Sequence, residues 1–281
     1  MEKYALLRER VMKIPEVTLR VPEPAPDPAL LHVHTADYLT RVREGTLSRD
    51  QARRIGFPWS PQLVERSRRS VGGTIEAARV ARIEGTAANL AGGTHHAYAD
   101  RGEGFCVFND VAVSIGDVHD REPSLDVAVL DLDVHQGNGT AKIFEDDPRV
   151  RTVSVHGEKN YPFHKERSDV DIGLEDGTTD ADFLSAVREG VDAALAGGAE
   201  LLYYVAGADA FEGDRLGRLS VTKDGLAERD DLVFDAAERA GASIVVVMAG
   251  GYATPIEHTV DIHAATVARA AASRPTQLLR T

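Results

Sequence analysis

Cysteine is nearly absent. The 281 residues contain one, Cys106, so no intrachain disulfide can staple the fold, and a reducing, cytoplasmic setting is expected. No stretch approaches the roughly 20 consecutive apolar residues of a membrane span, so no membrane partner is expected. Residues Met1-Glu-Lys-Tyr-Ala-Leu-Leu-Arg-Glu-Arg10 read as an amphipathic helix rather than a leader. Basic charge is also in short supply: 32 Lys and Arg against 45 Asp and Glu leave a net charge of −13. Direct nucleic-acid binding needs basic patches and is set aside on that ground. A cationic partner such as a lysine-rich tail is compatible with the balance. There is no internal repeat, low-complexity segment or linker, so residues 1–281 read as one domain. The oligomeric state leaves no mark.

What is present is apolar material in short runs. Hydrophobic residues make up 43% of the chain, ample for a core. Strands are expected at 86–90, 127–130, 151–155, 201–205 and 243–248. They alternate with helices at 1–14, 27–43, 61–82, 109–119, 181–195, 223–240 and 255–271. Gly72 and Gly73 interrupt the third of these helices and are expected to mark close helix packing. Residues 45–60, 157–177 and 211–220 read as loops, and the tail from Ser273 as frayed. Because the runs are apolar on both sides, the expected fold is α/β, with a central, mainly parallel sheet covered by helices on both faces. The polar clusters all fall just after strands, where such sheets place ligands.

The most informative stretch is Asp126 to Gly139. After the apolar run, Asp131, Asp133 and His135 follow at i, i+2, i+4, so an extended backbone turns all three to one face. Buried acids at a strand end are unfavourable unless their charge is compensated, and a divalent cation could engage both carboxylates and the ring. The alternative is a helix-capping turn with solvated acids. Asp209, in Val205-Ala-Gly-Ala-Asp-Ala-Phe211, either caps the next segment or supplies a third ligand, completing an open site of the kind used by catalytic zinc. His95-His96 follow a glycine pair; alone they would pass for a surface accident. Asp131 could hold one ring and Asn138 the other, and unlike partners suit unlike proton-transfer roles. Tyr252, after Gly250-Gly251, is either packing or a phenol donor to an oxyanion.

Taken in order, Gly93-Thr-His-His96, Gly104-Phe-Cys106, Asp131-Leu-Asp-Val-His-Gln-Gly-Asn-Gly139, Gly207-Ala-Asp209 and Gly250-Gly-Tyr252 resemble the zinc-dependent histone deacetylase family over about residues 60–270. Asp100-Arg-Gly-Glu-Gly-Phe-Cys106, Gln136, Glu212–Ser220 and Arg229–Phe234 look like the class IV branch and its bacterial relatives. The resemblance implies the arginase/deacetylase-like fold, without the family's first strand, because this chain starts late. It also implies zinc (or ferrous iron) held by Asp133, His135 and Asp209, with water activated between His95 and His96. His96 is the expected general base, His95 is mainly electrostatic, and Tyr252 polarises the amide. A structural potassium is implied near Asp131, Asp133, His135, Ser154 and Val155. A substrate tunnel is implied by Phe105 and Tyr161, with Gly104 and Gly251 admitting the stem. Small residues at Ala97, Gly102 and Gly104 are expected to leave room for longer acyl chains. The expected substrates are N-acyl-lysine in a peptide or protein, or a small acylated amine such as an acetylpolyamine. A two-metal ureohydrolase and a non-catalytic acyl-lysine-binding module are the remaining readings.

Overall fold

The computed structural model describes residues 2–273. Its apolar runs lie side by side as β1 (Thr86–Asn89), β2 (Val127–Asp131), β3 (Val150–Gly157), β4 (Val170–Leu174), β5 (Leu201–Val205) and β6 (Ser243–Val247). The sheet order is β1-β6-β5-β2-β3-β4, and every pairing is parallel. Residues β2, β5 and β6 are buried throughout. Alternate side chains of one strand serve opposite cores. Ala128 and Leu130 join Leu202, Tyr204 and Val246 beneath α8 (Asp180–Leu195), α9 (Lys223–Ala240) and α10 (Glu257–Ala272). Val127 and Val129 join Tyr203 and Val245 beneath α5 (Pro61–Glu84) and α6 (Asp110–Arg121). The chain leaves β2 towards β3 on one side and returns through β5 on the other. This reversal makes the carboxyl ends of β2 and β5 the crevice where an open α/β sheet binds its ligand.

Local chemistry accounts for where the elements depart from expectation. α1 (Glu2–Val11) ends before residue 14. The single helix expected over 27–43 is two, α2 (Asp27–Leu30) and α3 (Ala36–Glu44), because the Thr35 side chain accepts from the Tyr38 amide and restarts the helix. Residues 45–60 are not all loop: α4 (Arg49–Ile55) is closed by a Ser48–Gln51 capping box and by Gly56 at φ +81°. β4 lies within the expected 157–177 loop, and its alternating Val170, Ile172 and Leu174 are its signature. α5 runs unbroken through Gly72 and Gly73. A side chain at Gly72 would collide with the Glu23 carbonyl, so the irregular chain before α2, not a helix, presses on it there. α7 (Asn138–Phe144) starts directly after the polar turn. No described helix is long and apolar enough to cross a membrane. Beyond Ser273, the tail expected to fray lies outside the described residues.

His34 illustrates how the loop layer is fastened. Its ring is buried, and Nε2 accepts a 3.0 Å hydrogen bond from the Asn109 amide at the N-cap of α6. Burial lowers its pKa to about 4. Between the unfolded value of 6.5 and that value only the unfolded chain takes up the proton, so stability from this group is lost as pH falls through the window. In chemical denaturation, the stability advantage of wild type over His34→Gln is expected to shrink by about 3 kcal/mol between pH 7 and pH 4. Parallel curves for the two proteins would rule this out.

Candidate active site

The turn after β2 is held extended by its own acids. Asp131 Oδ1 accepts from the Asp133 amide at 3.1 Å, and Asp133 Oδ1 accepts from the His135 amide at 2.9 Å. Asp133 Oδ2 accepts from Gly250 N at 2.7 Å, and Asp209 Oδ1 from Val134 N at 2.9 Å, so amides from the turns after β6 and β2 converge on the acids. Any side chain at Gly250 would collide with both carboxylates, which is why glycine occupies the turn lying over them. His135 Nδ1 sits 2.9 Å from Asp133 Oδ1 and 3.3 Å from Asp209 Oδ2. One ligand atom from each of Asp133, His135 and Asp209 lies within 4.8 Å of the others, and among the described residues no other such cluster occurs. Asp209 Oδ2 is buried without a hydrogen bond.

The electrostatics say the same. Burial, then the neighbouring Asp133 charge, raises Asp209 to about 6. Burial would also raise Asp133, but the His135 hydrogen bond and the charges of His95 and His135 hold it below the carboxylate range. Burial disfavours the His135 cation, yet the two carboxylates raise that ring to about 10. A proton on His135 thus supplies part of the compensation that two buried acids demand. A divalent cation does so more fully, displaces that proton and satisfies the orphaned Asp209 oxygen. The donor set of two carboxylates and one imidazole fits such an ion.

The histidine pair is positioned from below by Asp110, whose carboxylate accepts from the Gly93 and Thr94 amides and from Thr94 Oγ1. The two rings are buried, with centroids 4.1 Å apart. His95 Nδ1 lies 2.6 Å from Asp131 Oδ2, and His96 Nδ1 lies 2.7 Å from Asn138 Oδ1. The Asn138 amide is oriented by the Tyr98 hydroxyl (3.0 Å) and Glu103 (2.8 Å), which take its N–H groups. Its oxygen is therefore the atom facing His96, so His96 donates from Nδ1 and keeps Nε2 as an open base. Burial opposes charge on both rings. The Asp131 carboxylate overcomes it and raises His95 to about 9. Asn138 does not, and with the cationic charges of His95 and His135 added, His96 falls well below the usual range.

Above these groups, Tyr161 meets His96 edge-on at 4.9 Å and donates to Glu103 at 2.7 Å. Phe105, held at φ +66°, is 47% exposed and stands between Phe57 and Tyr252. Tyr252 lines the same cleft of about 1010 Å³ as His95, His96, Asp133, His135 and Asp209. Ala97 is fully buried, and Gly104 lines the cleft. A side chain at Gly102 would meet Cys106 O, Tyr38 and Ile55, and one at Gly104 would meet His96, so these small residues serve close packing. Ser154 pairs with Asp131 in the β2–β3 register, with Val155 next along β3, and its hydroxyl contacts His156.

Three contributors are missed by sequence reasoning. Glu103 and Asp110 sit inside or beside stretches noted for other reasons, and only the contacts reveal their work. Lys3 is buried, donates to Ala249 O (3.1 Å) and Gly251 O (3.4 Å), and lies 5.1 Å from the Tyr252 ring centroid. Burial lowers its pKa, while Asp209 and Asp133 oppose the shift. Nothing local in an amphipathic helix marks this lysine.

Comparison with known proteins adds a family. The histone deacetylase domain matches residues 2–268. An uncharacterised protein of Picosynechococcus sp. is 44% identical over 240 residues, covering 85% of this chain and 80% of that one. Histone deacetylase 2 of Arabidopsis thaliana is 36% identical over 233 residues, covering 79% of this chain but 60% of that protein. The crystal structure of an HDAC homolog complexed with SAHA superposes with a TM-score of 0.83 at 23% identity, over 96% of this chain and 77% of that one, a likeness of fold.

The unlike partners of the two rings are directly measurable. In metal-free protein, ring-nitrogen NMR at pH 8 is expected to show His95 cationic and His96 neutral. Asp131→Asn should bring His95 down by about 1–3 pH units, and Asn138→Asp should raise His96 by a similar amount. Two rings titrating alike would contradict the assignment.

Proposed function

The chain belongs to the histone deacetylase family, and on that premise we propose that it hydrolyses the amide of an N-acylated lysine with a divalent metal. The observation that carries this reading is the Asp133–His135–Asp209 cluster, its two acids buried, lying beside a histidine pair of opposite proton affinities. When bound there, zinc would polarise the acyl oxygen and acidify water; the oxygen–nitrogen–oxygen donor set also admits ferrous iron. Neutral His96 takes the proton from water on its open Nε2 and passes it to the leaving amine. His95, kept cationic by Asp131, adds fixed positive charge where negative charge develops. Tyr252 donates its phenol to the developing oxyanion. Phe105 and Tyr161 flank the aliphatic stem, with Gly104 and Gly251 at its sides. A potassium ion at Asp131, Ser154 and Val155 belongs to the proposal as well. Asp131 already serves His95 and the Asp133 amide. The single buried thiol of Cys106 keeps a cytoplasmic setting in the reading.

A small acylated amine, such as an acetylpolyamine, is the alternative substrate class. A two-metal ureohydrolase needs further carboxylates to bridge a second ion, and Gln136 and Asn138 stand where acids would be required. Retention of every reacting group argues against a purely binding module.

Tyr252→Phe is expected to lower kcat on an acetyl-lysine peptide by about 10²–10³-fold, with little change in KM. Chelation should abolish turnover and zinc or ferrous iron restore it, while Asp209→Asn should fail to retain metal in elemental analysis. Undiminished turnover after Tyr252→Phe or after complete metal removal would sink the proposal.

A further inference from the structure

The overall charge of −13 is compatible with a cationic partner, but the mouth of the cleft is lined mainly by basic side chains. Besides buried Lys3 at its base and Arg66 of α5, exposed basic side chains reach it from three separate segments: Arg54 at the end of α4, Lys159 after β3, and Arg215 and Arg218 in the loop following β5. The acidic residues lining the same cleft are Asp133 and Asp209, buried at its base, and Glu2. Arg54 is exposed, and its guanidinium has no ion-pair partner among the described residues. Arg215 donates from Nε to Tyr252 O at 3.0 Å, which holds an exposed guanidinium beside the proposed oxyanion donor. Lys159 and Arg218 have only exposed partners, Glu175 at 3.2 Å and Asp176 at 3.3 Å, and such pairs exchange easily for others. Phe105, Phe163 and Leu216 stand among these cations with 47%, 81% and 44% of their surface exposed.

We infer that the acyl-lysine this site takes lies in an acidic protein segment, with Asp or Glu on both sides of the modified residue. The inference rests on the deacylase reading and names its substrate class. The mouth repels a basic tail and an acetylated polyamine alike, since each would bring further cations against Arg54, Arg215 and Arg218. A segment with acidic flanks can pair with them while its apolar residues cover Phe105 and Phe163. The wide separation of the basic groups along the chain favours an extended peptide over a compact carboxylate. Screening lets the local sign win: at 0.15 M ionic strength the Debye length is about 8 Å, so acids on remote faces scarcely reach the mouth.

The test uses zinc-reconstituted full-length protein and three acetyl-lysine peptides that differ only in Asp/Glu, Gly/Ser or Lys/Arg flanks, with a monoacetylated polyamine alongside. Both kcat/KM and peptide binding by fluorescence anisotropy are measured. The acidic peptide should exceed the basic one by about tenfold in each, as expected for two or three exposed pairs. That ratio should fall towards one at 1 M salt, and in Arg54→Glu/Arg218→Glu it should invert. Equal turnover and binding of all three peptides, or preference for the basic peptide or the polyamine, overturns the acidic-segment inference and leaves the deacylase reading standing. No hydrolysis of any substrate by metal-loaded protein overturns the deacylase reading, and the anisotropy ratio then decides the inference alone.

Discussion

Asp133 and Asp209 face each other, both buried, at the ends of neighbouring strands, and this enforced proximity of like charges organises the rest of the molecule. Left alone, one acid would protonate or the strands would separate. Instead, the amides of Gly250 and Val134 and the ring of His135 turn towards them. Fully buried Arg229 pairs with Asp230 and donates to the Gly207 carbonyl, bracing the strand end that carries Asp209. These groups reduce the repulsion without removing it. Asp209 Oδ2 still lacks a hydrogen bond, with only the His135 ring 3.3 Å away, and that incompletely compensated charge is the physical argument for a metal.

A second asymmetry comes from one change of atom type. Asp131 and Asn138 are nearly isosteric and hold adjacent rings in similar hydrogen bonds of 2.6 and 2.7 Å. The carboxylate carries charge and the amide does not, so burial wins at His96 and loses at His95. Two otherwise equivalent imidazoles become a base and a cation at the same pH. Tyr98 and Glu103 are needed as well, because they decide which end of the Asn138 amide faces the ring.

Much of this was legible in the sequence, for identifiable reasons. The buried parallel strands announce themselves because helices cover both faces and their apolar runs are continuous. Asp131, Asp133 and His135 are readable because a period of two is a geometric fact about extended chain. β4 escaped because an edge strand shows only alternation, and its three apolar residues sit among charged ones. α4 escaped because its apolar content is slight and its evidence is a cap, Ser48 with Gln51. Lys3 could not be found locally at all. Its role depends on α1 packing beside α10, which brings the start of the chain to the turn before Tyr252. The glycines at 102 and 104 are hard to read for the opposite reason: a small residue looks like space in sequence, whereas a side chain at either would meet Tyr38, Ile55 or His96.

The turn bearing Tyr252 shows why charge compensation and substrate positioning cannot be separated in this fold. Its amide at Gly250 is fastened to Asp133, its carbonyls at Ala249 and Gly251 to Lys3, and its amide at Tyr252 to Asp214. Burial lowers the pKa of Lys3, and Asp209 and Asp133, the acids that would hold a cation, oppose that shift. Any event that neutralises those acids therefore acts on the lysine, and through two carbonyls on the turn beneath the phenol. A tyrosine on a free glycine pair would wander over several ångströms. Here three of its turn's polar groups are tied to Asp133 and Lys3, so the proposed oxyanion donor is placed by the same electrostatics that would hold a metal.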